Sequence, residues 1–148
     1  MKNSENKSSE KTQFGGLSRS KLMSRIKSNN NTTTELKMIG YLRKYKLKGW
    51  RRNAKLSGKP DFIWRKDKVV LFVDGCFWHG HNCDRNLTPK TNSDFWEKKI
   101  RNNRKRDDTV NKILIEKGWK VVRIWECQLR KSPNACLNIV VAALNLSI

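Results

Sequence analysis

The chain has 148 residues and a formal charge of +20, from 33 Lys and Arg against 13 Asp and Glu. That length suits one domain, able to bury about 70% of its unfolded surface, and no apolar run approaches the roughly 18 residues a membrane span needs. The polar start lacks the apolar core of a secretory signal, so a polyanion such as nucleic acid is the expected partner, with an anionic membrane surface second.

Residues 1–16 are rich in Ser, Asn, Lys and Glu, end in Gly15-Gly16 and read as a disordered tail. The tail carries a net charge of only +1, so the folded domain expected over residues 17–148 is itself the polycation. Ser18 to Ser28 fits a short basic helix with Leu22, Met23 and Ile26 on one face. Thr32, Thr33 and Thr34 offer N-caps for a helix of about Thr34 to Lys46, whose Leu36, Ile39, Leu42 and Tyr45 recur every three residues. Trp50, Arg51 and Arg52 suggest a short strand. After the turn-rich stretch Leu56 to Pro60, Asp61–Trp64 and Val69–Val73 flank the polar turn Arg65 to Lys68. The pair predicts an antiparallel hairpin, its second strand apolar enough to be central. A long helix is expected from Ser93 to Lys117, closed by Gly118 as its C′ residue. Trp119–Trp125 follows as a strand, and Ser132-Pro133 opens a helix through Leu144. The order ααβββαβα predicts a single α/β domain, a central mixed β-sheet flanked by helices.

Chemistry gathers in the middle of the chain. Without a signal peptide, metal binding or plain burial suits Cys76, Cys83, Cys127 and Cys136 better than disulfides. Cys76, His81, Cys83 and Cys127 lie just past two predicted strands, and a Cys3His set would suit structural, four-coordinate Zn²⁺. The alternative is reduced cysteines in the core, which is the expected place of Cys136 beside Ala135 and Leu137. Asp61 and Asp74 mark the start and end of adjacent antiparallel strands, so their carboxylates can share a hard cation such as Mg²⁺. With the helix residue Glu35 they form the pattern of the PD-(D/E)xK nucleases. Cys76 stands where such enzymes carry Lys, so another proton carrier is required. His79 is the candidate, since His81 belongs to the zinc set; its alternative is an exposed loop histidine.

The long helix adds an independent signal. Trp96, Ile100, Asn103, Asp107, Val110 and Leu114 alternate by three and four, so Asp107 shares the buried stripe and needs a partner, for which an inward His fits. Lys98, Lys99, Arg101, Arg104, Lys105 and Arg106 on the same helix suit phosphate contacts. Two readings of Phe77-Trp78 stand: packing over the zinc set, or an apolar wedge between base pairs, with Met23 entering from the opposite groove.

Gly58-Lys-Pro-Asp-Phe62, Val73-Asp-Gly-Cys-Phe-Trp-His79, Phe95-Trp-Glu-Lys-Lys-Ile100, Arg106-Asp107 and Ile124-Trp-Glu-Cys127 closely resemble the bacterial very short patch repair endonucleases, in order from about Leu17 to Leu144. Such enzymes nick one strand of duplex DNA 5′ to the thymine of a T·G mismatch left by deaminated 5-methylcytosine. The resemblance implies a PD-(D/E)xK-type fold, structural zinc at Cys76, His81, Cys83 and Cys127, and Mg²⁺ held by Asp61 and the Val73 carbonyl. It further implies His79 oriented by Asp107 for proton transfer, Glu35 in support, and Met23, Phe77 and Trp78 as intercalators. Some members have His where this chain has Asp74, which leaves Asp74 either a metal ligand or a proton relay. Expected partners are mismatched duplex DNA, a companion cytosine-5 methyltransferase and mismatch-repair proteins, met by a monomer at the bacterial nucleoid in the cytoplasm with no membrane. Two rival readings remain: a restriction-type endonuclease indifferent to mismatches, and a zinc-stabilised DNA-binding module without catalysis.

Overall fold

The computed structural model describes residues 34–81, 83 and 91–146; the tail, the basic helix expected over Ser18 to Ser28 and Met23 lie outside them. The described elements are α1 (Glu35–Lys44), β1 (Phe62–Trp64), β2 (Val69–Asp74), α2 (Ser93–Glu116), β3 (Lys120–Trp125), α3 (Glu126–Lys131) and α4 (Pro133–Ala143). None of these helices is long and apolar enough to cross a membrane.

β2 is the middle strand, antiparallel to β1 with Phe62 opposite Leu71. It runs parallel to β3, with Phe72 opposite Arg123 and Asp74 opposite Trp125. Parallel neighbours need a crossover, and α2 supplies it. Every residue of β2 is buried, which its unbroken apolar run requires of a strand covered on both faces. Alternation then sorts the core. Val69, Leu71 and Val73 pack with Met38 and Leu42 of α1 and Leu137 and Val140 of α4. Val70 and Phe72 point the other way, to Val110 and Leu114 of α2. Leu114 and Ile124 are fully buried, each worth roughly 1.5–3 kcal/mol in transfer from water.

Chain reversals set the helix ends. α1 stops two residues before the expected Lys46, because Lys46 adopts φ 57°. Its N–H bonds Arg43 O and the Leu47 N–H bonds Leu42 O, closing a Schellman motif without glycine. At the other long helix Gly118 serves as expected, with φ 84° and the Trp119 N–H donating to Leu114 O. The strand expected at Trp50–Arg52 shrinks to one bridge, Arg51 opposite Ile63. Gly49 and Asn53 on either side both have positive φ, and a strand cannot extend through left-handed residues. One helix, α3, was absent from the sequence pattern. It is a single short turn region whose start is held by the Gln128 side chain accepting the Trp125 N–H at 3.1 Å.

Gly58 fixes the approach to β1. It has φ 76°, and a β-carbon there would stand 2.4 Å from Val110 Cγ1, one turn along α2 from Asp107. Gly58→Ala should therefore lower unfolding free energy by about 1–3 kcal/mol, read as a fall in the urea midpoint at unchanged slope.

Candidate functional site

Asp61 precedes β1 and turns back across the hairpin, so that its Oδ2 accepts the Val73 N–H at 2.7 Å. Burial is the main influence on its carboxyl and lifts it from 3.8 to about 7; the Val73 N–H opposes this, while the nearby charges of Glu35 and Asp74 add to it. Glu35, in the first turn of α1, is buried and pairs with Arg52 Nη2 at 2.7 Å. Asp74 ends β2 and is also buried. The three acids named from the sequence thus converge at one end of the hairpin.

Arg123 also joins these acids, at a position the sequence pattern did not single out. It lies on β3 beside Phe72, with its guanidinium 4.1 Å over that ring. Its Nη1 donates to Asp74 Oδ2 at 2.9 Å and Oδ1 at 3.1 Å, and its Nε donates to Asn111 Oδ1 at 2.9 Å. Its immediate neighbours carry no signal for this; parallel pairing with β2 is what sets it beside Phe72.

His79 and Asp107 meet as expected: the ring Nδ1 bonds Asp107 Oδ2. Nε2 faces Asp74 Oδ1 at 3.6 Å. With a carboxylate at Nδ1, the favoured neutral tautomer carries its proton there and leaves Nε2 as acceptor. The loop that carries His79 is anchored to α2, where Asn103 Nδ2 donates to Trp78 O at 3.0 Å. Gly80 makes the approach possible: with φ 63°, a β-carbon would meet Ile100 Cγ2 at 2.6 Å.

Cys76, His81, Cys83 and Cys127 also come together, their ligand atoms all within 4.8 Å of one another. His81 stacks on Trp125, 4.2 Å between centroids and 6° between planes. Burial, reinforced by the Cys127 and Cys83 sulfurs, pushes the Cys76 thiol up to about 12. A cation is what would draw thiolates from such a set. Cys127 lies just past β3, as expected, in the first turn of α3. Cys136 lies in the main core, as expected.

Phe77 is buried against Trp96, 5.3 Å between centroids, and Trp78 is half-buried at 5.5 Å from the same ring. Lys99 Nζ lies 5.3 Å from the Trp78 centroid. Lys98, Arg101, Arg104 and Lys105 are exposed along α2, while Asn103 and Asp107 are half-buried on its inner face.

Asp61 gives the site a pH dependence. An unfolded aspartate ionises near 3.8, whereas in the fold it stays neutral up to about 7. Its contribution to stability is present in full below about pH 4 and is lost as pH rises through 7. Without added divalent cation, thermal melts between pH 5 and 8 should show this loss, and Asp61→Asn should flatten it relative to the wild type.

The family model for the DNA mismatch endonuclease Vsr matches residues 13–85. The type II nicking enzyme V.NmeAIP of Neisseria meningitidis is 47% identical over 83 residues, 55% of this chain and 59% of the relative. V.XorIIP, a type II nicking enzyme of Xanthomonas oryzae, is 37% identical over 113 residues, 73% of this chain and 79% of the relative. The DNA mismatch endonuclease Vsr of Escherichia coli is 43% identical over 79 residues, 53% of this chain and 51% of the relative. The chain thus spans little more than half the length of the Neisseria and Escherichia proteins and most of the Xanthomonas one. On these matches, the chain belongs to the Vsr endonuclease family.

Proposed function

We propose that the protein is a Mg²⁺-dependent DNA endonuclease that nicks one strand 5′ to the thymine of a T·G mismatch. The observation that carries the reading is the half-buried Asp61 carboxyl beside Val73, Glu35 and Asp74, with the His79–Asp107 pair on the other side of Asp74. This is a PD-(D/E)xK-type arrangement with histidine replacing lysine. Asp61 and the Val73 carbonyl would hold Mg²⁺, whose oxygen preference suits them. Bound there, Mg²⁺ supplies stabilisation of the charge that develops on the phosphate and leaving oxygen. Asp107 holds the His79 ring through Nδ1, and Nε2 takes the proton of the water attacking phosphorus in line. Exposed Lys98, Arg101, Arg104 and Lys105 contact phosphates and set the register on the duplex, and Trp78, with Phe77 behind it, is the wedge that senses a weakly stacked pair. Because T·G arises by deamination of 5-methylcytosine, a cytosine-5 DNA methyltransferase is the enzyme class that makes the base from which the substrate arises.

The cysteine cluster is proposed to hold structural Zn²⁺. Three sulfurs and one imidazole nitrogen would complete a four-coordinate site with no open position, and their separations of up to 4.8 Å need contract by no more than about 1 Å to reach the ~3.8 Å of a tetrahedral zinc with ~2.3 Å bonds. The purified protein should contain one zinc per chain by elemental analysis. Cys127→Ser should lose that zinc and melt at a markedly lower temperature.

The names of the Neisseria and Xanthomonas relatives, type II nicking enzymes, favour a second reading in which sequence rather than mismatch directs the cut. A panel of duplexes with varied flanks separates the two, each prepared with T·G or C·G at the same position. Nicking confined to T·G and lost in EDTA supports the proposal, whereas equal cutting of C·G sinks the mismatch specificity. Asp61→Ala should lower the nicking rate at least ~10³-fold with Mg²⁺ present; full activity in that variant would remove the catalytic assignment.

A further inference from the structure

Arg123 is placed to do more than neutralise one acid. Its Nη1 meets both oxygens of Asp74 and lies 3.6 Å from Asp107 Oδ1. Those two carboxylates, one on the sheet and one on the helix, are the ones that flank the His79 ring, at Nε2 and Nδ1. The guanidinium is itself fixed from two further directions, by Asn111 at Nε and by the Phe72 ring beneath it. Asn111 stands one turn beyond Asp107 on α2, so Arg123 spans the gap between β3, β2 and α2 at the level of the histidine. A lysine could not do this, because a single ammonium lacks the planar fork that reaches an amide on one side and two carboxylates on the other.

We propose that Arg123 is a positioning residue of the nicking site: by bracing Asp74 and Asp107 it fixes His79 between them and withholds both Asp74 oxygens from the cation site beside Asp61. This rests on the nuclease reading given above. Asp74 is then neither a metal ligand nor a free acid, but the sheet-side wall of the histidine's seat. Released from Arg123, Asp74 would be free to turn toward Asp61, and the ring would lose the alignment its proton transfer needs. Displacement of a catalytic group by about 1 Å can cost ~10²-fold in rate.

The test uses the full chain and compares wild type with Arg123→Met, Arg123→Lys and Asn111→Ala. In wild type the His79 Nδ1–H should give a downfield proton resonance, which Arg123→Met and Arg123→Lys should broaden or abolish at a temperature where the melting curve shows folded protein. On a T·G duplex that wild type nicks, Arg123→Met should lower kcat about 10²-fold or more and change KM less than threefold. The salt dependence of binding should stay the same, since a phosphate contact would instead raise KM and reduce the salt slope by about one. Adding Asp74→Asn to Arg123→Met should cost little more, because the two act as one unit. Should Arg123→Met fail to fold, Asn111→Ala, which keeps the charge, should weaken the resonance and lower kcat about tenfold at unchanged KM. The proposal is overturned by a retained resonance in Arg123→Met, by a wild-type spectrum without it, by kcat within threefold of wild type, or by a loss confined to KM. The resonance needs no substrate, so a wild type that nicks no duplex defeats the proposed reaction while the spectra still decide the role of Arg123.

Discussion

Mutual repulsion among four carboxylates is the constraint around which this fold is arranged. Glu35, Asp61, Asp74 and Asp107 approach one another at the carboxyl end of β2, two of them buried and two half-buried. Charges so placed are costly unless each finds a partner. Glu35 has Arg52, Asp74 has Arg123 and Asp107 has His79. Among the described residues Asp61 alone of the four pairs with neither an arginine nor a histidine; it accepts the Val73 N–H and hydrogen-bonds Glu35, and it is the one that burial pushes up to about 7. The partners come from different elements, so satisfying the acids also ties the segment before β1 to β2, and β3 through β2 to α2.

The sheet makes this balance possible because successive residues of a strand face opposite ways. Val73 packs its side chain toward α1 and α4 and offers its backbone to Asp61, while Asp74, one residue on, turns toward α2. A slip of one residue would invert both roles. The parallel register of β2 and β3 extends the same logic past the strand ends. Cys76 and Cys127 each stand two residues beyond the paired Asp74 and Trp125. Two of the cluster's four candidate ligands are therefore delivered by sheet register, and the segment after Cys76 delivers His81 and Cys83. His79 is caught between the two anchors, the cysteine cluster on one side and Asn103 of α2 on the other. Its position follows from constraints on its neighbours at least as much as from its own bonds.

How much of this could be read from the residues depends on whether a pattern repeats. The inner stripe of α2 was legible from Trp96 to Leu114, Asp107 included, because six positions at helical spacing reinforce one another. The hairpin and the Gly118 stop were legible for plainer reasons: two apolar runs flanking a polar turn, and a residue free to adopt positive φ. The cysteine cluster was legible because few residue types bind soft metals. What escaped was what no period encodes. α3 is six residues long and is started by a side chain reaching backward from Gln128, a cap with no local signature. Lys46 ends α1 in a conformation usually given to glycine. Arg123 looks like an ordinary polar residue of a strand until parallel pairing sets it next to Phe72, and that pairing links positions 51 residues apart. Non-local geometry gave it a role that its immediate neighbours do not reveal.

The charge of the whole chain and the charge of the site work in opposite senses. A chain at +20 draws a polyanion from a distance, and the exposed Lys98, Arg101, Arg104 and Lys105 hold part of that field at the surface. Near the phosphate the same attraction would give no rate gain, since it acts equally on substrate and transition state. There the acids reverse the local sign. With Asp61 ionised and His79 neutral, the four carboxylates exceed Arg52 and Arg123 by two negative charges, which a single divalent cation of the proposed kind cancels. Without it, protonation of Asp61, favoured first by burial and then by the charges of Glu35 and Asp74, removes one of the two. Arginines turned inward thus set how much charge the metal must bring, and basic residues turned outward set how often DNA arrives. Had Arg123 been an apolar residue, the deficit would be three, too large for one such ion to neutralise, and Asp74 would compete with Asp61 to hold it.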